Sequence, residues 1–373
     1  MRIELDRDGT PEVLVELLSA LERDPGVGSI VVFACAANGL EPDRVNDAFR
    51  SLRKPVFGGV FPRIVHGGEL LERGVMVVGL PCVARVHEIE SLPASPRELE
   101  GALLDAFPES TIEAGRTMFV FVDGLARGIG ALIDALFNSF GLDLDYVGGG
   151  AGSLSLVSEP CIFGPSGLRR DAAVVALVEL SCGVGVAHGW RPISEGFKVT
   201  SSEGNVIRSL DWRPAFEVYR EVVEGHAGRP LLRDAFFDLA KAYPFGITKL
   251  ANETVVRDPL KLEGDALVCV GEVPEGAFVR ILHGEPTSLI DAARRARELA
   301  GEAMGARSAT AQVFIDCVSR VLFLEGAFER ELAAVSGGAP PTFGALTLGE
   351  IANNGRQYLE FYNKTAVVGL LGP

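Results

Sequence analysis

The run "FIDCVSR" brings Asp316, Cys317, Ser319 and Arg320 to the end of an apolar, strand-like segment, where side chains often project into a pocket. Further on, "LTLGEI" adds Glu350 just after a glycine step. A guanidinium forks onto a carboxylate and a carboxylate accepts from an ammonium, so Arg320 and Glu350 could hold the two ends of a zwitterion. The same residue types also make an ordinary ion pair, and spacing alone does not separate the two readings.

A second candidate is the glycine-rich stretch "DYVGGGAGSLSLVSEP", from Asp145 to Pro160. Runs of this kind often cradle phosphates, but a Walker loop needs a lysine and a hydroxyl at its end. No lysine occurs between Lys54 and Lys198, and the residues after the glycines alternate like a strand rather than opening a helix. The glycines are therefore expected to let strand backbone approach a neighbour or a ligand closely. On that reading Gly148, Gly149 and Ser153 form a pocket wall, with Gly58, Gly59 and Arg63 of "VFGGVFPRIVHGG" as their counterparts. "CGVGVAHG" is strand-like on both sides and opens no helix, which argues against a dinucleotide site. A Gly-x-Ser-x-Gly elbow is absent. The five histidines fall in no metal-binding spacing, and no pair of acids stands out as general acid and base. No catalytic residue, metal ligand or cofactor is assigned, and the chain is read as a non-enzyme.

The elements that must position these residues alternate. "PEVLVELLSALERD" has helical apolar spacing, with Thr10 as N-cap and Pro11 in the first turn. "SIVVFACA" reads as a buried strand, and "TSLIDAARRARELAGEAM" as the clearest helix, capped by Thr287 or Ser288. Three segments, "VFGGVFPRIVHGG…GVMVVGL", "YVGGGAGSLSL…AAVVALVEL" and "TFGALTLGEI…KTAVVGLL", each follow a strand and a helix. Their small residues lie about 30 residues after the start of that strand, which suggests a repeated strand–helix–strand–strand unit. Between the second and third copies, "GVGVAHGWRPISEGFKVTSSEGNVIRSLD" and "DALVCVGEVPEGAFVRILHG" read as hairpins. The expected fold is α/β (mixed α+β): two α/β halves with mixed sheets, divided near Asp211 to Pro214.

At 373 residues the chain exceeds one ordinary core. Its net charge of −15 argues against a nucleic-acid partner. No segment approaches the ~18 to 20 apolar residues needed to span a bilayer. The N-terminus is charged where a leader peptide would be apolar, and the six cysteines are scattered without a CxxC pair. A cytoplasmic location is expected.

The order of motifs resembles the FIST sensory domain. Its N-terminal half is matched by Gly189-Trp190, Val199-Thr200, Gly204-Asn205, Asp211, Pro214-Ala215 and Tyr219. Its C-terminal half is matched by "VPEGAFVRI", the Cys-x-x-Arg step at Cys317 to Arg320, the Gly-Glu of "TLGEI" and "YNKT". The resemblance implies an N-domain over 27–213 and a C-domain over 214–371. It also implies an intracellular sensory module that binds a small ligand, such as an amino acid, and signals through a partner protein. Some members of the family are haem proteins that sense nitric oxide, and others serve in protein recognition. A haem-based sensor and a ligand-free scaffold are thus the alternative readings. "GGVFPRIVHGGE" departs from the small polar residues usual at that step, so ligand specificity need not be shared.

Overall fold

The computed structural model describes residues 1–93, 95–108, 112, 115–249, 253–338, 340–353 and 358–373. The chain opens with β1 (Arg2–Asp6), α1 (Pro11–Arg23), β2 (Ser29–Cys35), α2 (Pro42–Ser51) and β3 (Val56–Phe61). A hairpin, β4 (Arg63–His66) and β5 (Glu69–Leu71), and then β6 (Val75–Leu80) complete this first unit. Thr10 caps α1 by accepting from the Val13 amide, as its sequence predicts. β2 and β3 run parallel, β6 returns antiparallel on the other side of β2, and β1 lies outside β6. Both faces of β2 are covered, which is why it reads as an unbroken apolar run.

The next stretch follows the same order. It comprises β7 (Arg85–Glu90), α3 (Pro96–Ala106), β8 (Arg116–Asp123), α4 (Ile129–Phe140), β9 (Leu144–Ala151), the hairpin β10 (Ile162–Gly164) and β11 (Gly167–Arg169), and β12 (Ala172–Val178). Here β8 and β9 are parallel, β12 is antiparallel to β8, and β7 lies outside β12.

β13 (Ser181–Ala187) leads into an insertion built from β14 (Arg191–Pro192), β15 (Phe197–Glu203), β16 (Val206–Leu210), β17 (Arg213–Pro214), α5 (Ala215–Ala227) and α6 (Phe236–Ala240). It continues with β18 (Phe245–Thr248), β19 (Thr254–Arg257), β20 (Pro259–Glu263), β21 (Ala266–Cys269) and β22 (Phe278–His283). These strands form a separate antiparallel sheet, with a core centred on Tyr219, Phe216 and Phe245. The chain then returns through α7 (Pro286–Met304), β23 (Ala311–Cys317), α8 (Val318–Leu324), α9 (Phe328–Ser336), β24 (Thr342–Thr347), the hairpin β25 (Glu350–Asn353) and β26 (Leu359–Tyr362), and β27 (Ala366–Gly372). β23 and β24 are parallel, β27 is antiparallel to β23, and β13 closes the far edge against β27. α7 starts slightly earlier than its sequence suggests. Glu285 is the N-cap and forms a capping box with Ser288, because Pro286 is suited to the first turn.

Each hairpin pairs with a sheet other than the one its own unit builds. β4 pairs with β24, β10 with β3, and β25 with β9. The exchange closes a ring of three sheets, so strands from either side of residue 213 share one sheet. At the centre, Phe33 packs against Phe121 and Phe343 of the other two sheets, with ring centroids 5.7 and 5.8 Å away. α1 and α2, α3 and α4, and α7 and α9 cover the outer faces.

The small-residue steps stand at one place in each sheet. Gly58 lies opposite Val32, Gly148 opposite Val120, and Gly344 opposite Phe314. A Cβ at any of the three would overlap the partner strand's carbonyl oxygen. The glycines of "CGVGVAHG" answer a similar need: Cβ atoms at Gly183 and Gly185 would strike the Ala300 and Ala296 carbonyls of α7. We predict that Gly148→Ala lowers the unfolding free energy by about 3 kcal/mol or more, since backbone and not a mobile side chain must give way. Gly101→Ala, in open space on α3, stabilises slightly. Paired denaturant titrations measure both.

Candidate functional site

The largest cavity, about 860 Å³, lies between the ring of three sheets and the inserted sheet. One apolar wall is the first half of α4, with Ile129, Ile133 and Phe137. Leu322 of α8 and Phe361 of β26 extend that wall, and Leu260 and Ile247 face it from the insertion. Its polar part holds Cys317, Ser319, Asp258 and Asn363.

The polar floor is assembled from three distant segments. β23 ends at Cys317 and α8 begins at once, which places the Ser319 hydroxyl 3.1 Å from the Cys317 sulfur. Asp258, between β19 and β20, is buried, and its Oδ2 lies 3.1 Å from Lys364 Nζ. Lys364 occupies the left-handed backbone region with φ 52°, and its ammonium also donates to the Lys241 carbonyl at 2.9 Å. The same ammonium stands over the Trp190 ring, 5.1 Å from its centroid. Burial raises the pKa of Asp258, and Lys364 and the nearby Ser319 hydroxyl oppose the shift. Two buried acceptors on this floor, Asp258 Oδ1 and Asn363 Oδ1, have no hydrogen-bond partner.

Of the residues singled out from sequence, only Cys317 faces this cavity. Arg320 is fully buried behind the floor with its donors already engaged. Nε meets Glu331 Oε1 at 3.0 Å and Asp316 Oδ1 at 3.1 Å. Nη1 donates to the carbonyls of His188 and Lys364, and Nη2 to Glu331 Oε2 and the Leu289 carbonyl. Glu350 is equally buried, accepting from the Thr347 hydroxyl at 3.1 Å and the Thr365 amide at 3.2 Å. Burial pushes its carboxyl up to about 8, against hydrogen bonds from Thr347, Cys317 and Thr365. Burial likewise pushes the Cys317 thiol far above its ordinary range.

The glycine steps do not reach the large cavity either. Gly58 and Gly148 face neighbouring main chain, Gly59 packs against Phe61 and Ala151, and Gly149 against Thr347 and Gly349. Ser153 lines a smaller cavity of about 270 Å³, and its hydroxyl lies 2.6 Å from that of Ser155. Arg63 on β4 pairs with Glu72 at 2.5 Å. None of the five histidines is among the described cavity walls. His188 Nδ1 accepts from the Trp190 amide at 3.0 Å, and burial brings its pKa down to about 4. Among the described residues no group of three or more His, Cys, Asp or Glu side chains is arranged to hold a metal ion. No described helix is long and apolar enough to cross a membrane.

Sequence reasoning missed Asp258, Asn363 and the α4 wall. Asp258 stands in "VVRDPLKLE", which carries no chemical signature, and α4 reads only as a core helix. The available signal was "YNKT", whose Asn363 and Lys364 are polar residues in an otherwise apolar tail.

Comparison with known proteins yields three findings. A model of the FIST N domain matches residues 29–213, and a model of the FIST C domain matches residues 215–353. An uncharacterized protein of Methanocaldococcus jannaschii is 21% identical over 327 residues, covering 76% of this chain and 60% of the relative. The chain therefore spans well under two thirds of that protein's length. A crystal structure of chorismatase aligns over 100% of this chain and 98% of its own, with 10% identity and a TM-score of 0.34. A likeness of that degree supports no inference about activity.

Glu350 generates a pH prediction. Its folded pKa of about 8 stands above the ordinary 4.5, so the folded state holds the proton more tightly. Its contribution is complete below about pH 4.5 and disappears as pH rises through about 8. Glu350→Gln is expected to flatten the fall in stability across that window, as read from denaturant midpoints at a series of pH values.

Proposed function

Because the chain belongs to the FIST family, whose domains are linked to sensory signal transduction, we propose that it is a non-catalytic sensor that binds a small ligand in the 860 Å³ cavity. The observation that carries this reading is the position of the cavity. Its walls come from two bodies with separate cores, the three-sheet ring and the inserted sheet. A ligand that fills it touches both, and so biases how the insertion packs on the ring. A partner protein inside the cell would read that change as an altered surface.

The protonation states support binding rather than chemistry. The Cys317 thiol is held protonated by burial, and the neighbouring Glu350 carboxyl titrates near 8. A buried, protonated thiol is a poor nucleophile. The cavity is mainly apolar with a few convergent polar groups, which is the usual composition of a small-molecule site.

Thermal-shift and calorimetric screens against amino acids, amines and related metabolites test the proposal. A true ligand raises the unfolding midpoint in a concentration-dependent way, by about 2.7 kcal/mol at a hundredfold excess over Kd. Leu260→Trp, which fills the cavity without touching its polar floor, is expected to abolish that shift. An absence of any hit across a broad panel would remove the ligand-binding reading.

A further inference from the structure

We propose that the cavity floor selects ligands by a primary nitrogen head group, NH2 or NH3+, seated between Asp258 and Asn363. The inference rests on the cavity being the ligand site and adds the chemistry that the site recognises.

The two free acceptors are the starting point. Asp258 Oδ1 and Asn363 Oδ1 are buried, line the same cavity and have no partner. They stand at one end of it, because Lys364, next to Asn363 in the chain, is the residue that grips Asp258 Oδ2. The rest of each side chain is already engaged, since Asn363 Nδ2 donates to the Tyr362 carbonyl at 2.9 Å. A buried acceptor left without a donor is costly, so an arriving group that serves both gains twice. A hydroxyl brings one proton and can satisfy only one of them. A primary nitrogen brings two or three.

The cations near the floor favour the same choice. Lys364 is held by Asp258 and the Lys241 carbonyl. Arg257 directs Nε and Nη1 to carbonyls and Nη2 to Glu360. Lys249 also pairs with Glu360. An incoming carboxylate would set its lone pairs against two unpaired acceptors, whereas an N–H group meets complementary atoms. Beyond the head group, Ile129, Ile133, Phe137 and Leu322 offer an apolar channel for a short alkyl stem.

Four ligands of equal stem length separate the possibilities in calorimetry: pentylamine, pentanamide, pentyltrimethylammonium and pentanoate. The amine and the amide are expected to bind at least about tenfold tighter than the other two, because only they carry two N–H donors. Whichever nitrogen ligand is tighter tells whether charge or donor count matters more. Asn363→Ala should weaken the tighter ligand by about tenfold, while Asn363→Asp, which keeps the acceptor, retains amine binding. Equal binding by the trimethylammonium compound or by pentanoate, or an amine affinity indifferent to Asn363→Ala in a folded variant, overturns the proposal. So does silence from both nitrogen ligands. If some other metabolite then binds and Leu260→Trp abolishes it, the cavity remains the ligand site and only its selection rule falls.

Discussion

The guanidinium of Arg320, sealed from water at the end of β23, is the interaction on which the surrounding architecture depends. A buried charge is tolerable only when paired and fully hydrogen-bonded. Arg320 meets that demand by drawing in five separate segments. Asp316 comes from its own strand, Glu331 from α9, and carbonyls from the end of β13, the first turn of α7 and the turn before β27. The Lys364 carbonyl that it holds also accepts from Trp190 Nε1 at 3.0 Å. That turn carries Asn363 and Lys364, so the cavity floor is anchored through the same guanidinium. Removing one partner would leave a buried ion exposed to the full cost of its desolvation.

A second constraint acts at larger scale. The three hairpins each complete a neighbouring sheet, and three glycines allow the parallel pairs to pass within side-chain distance of one another. A ring closed in this way resists loss of any one sheet. The insertion is different, because it has its own core and meets the ring across the cavity. Rigid ring, separate insertion and an intervening cavity are the parts that a ligand-operated switch requires. The titrating groups behind the floor, Glu350 and Cys317, are held in their neutral forms by burial, and a neutral lining suits reversible binding.

Much of the fold was legible in the chain, and for physical reasons. Period and capping are local, so Thr10 and Pro11 announced α1, and "SIVVFACA" announced a strand covered on both faces. The three small-residue steps were visible as well, since no other residue type fits where a Cβ would enter a neighbour's main chain. Their purpose was not legible. A glycine that makes room for a ligand and one that makes room for a strand leave the same letter. Gly58, Gly59, Gly148 and Gly149 proved to serve strand and side-chain packing. The glycines of "CGVGVAHG", set aside as a dinucleotide loop, seat α7.

The sequence by itself determined the element types, the position of each glycine step and the family motifs, because these depend on neighbours along the chain. Tertiary structure alone decided which polar residues are satisfied and which stand open. Arg320 and Glu350 looked available, yet distant carbonyls, carboxylates and hydroxyls reach them and occupy their hydrogen-bonding capacity. Asp258 and Asn363 looked ordinary, yet folding buries both and leaves one oxygen of each without a donor. Hydrogen-bond satisfaction is set by whichever backbone and side chains arrive from elsewhere in the fold, and no local pattern of residues records that arrival.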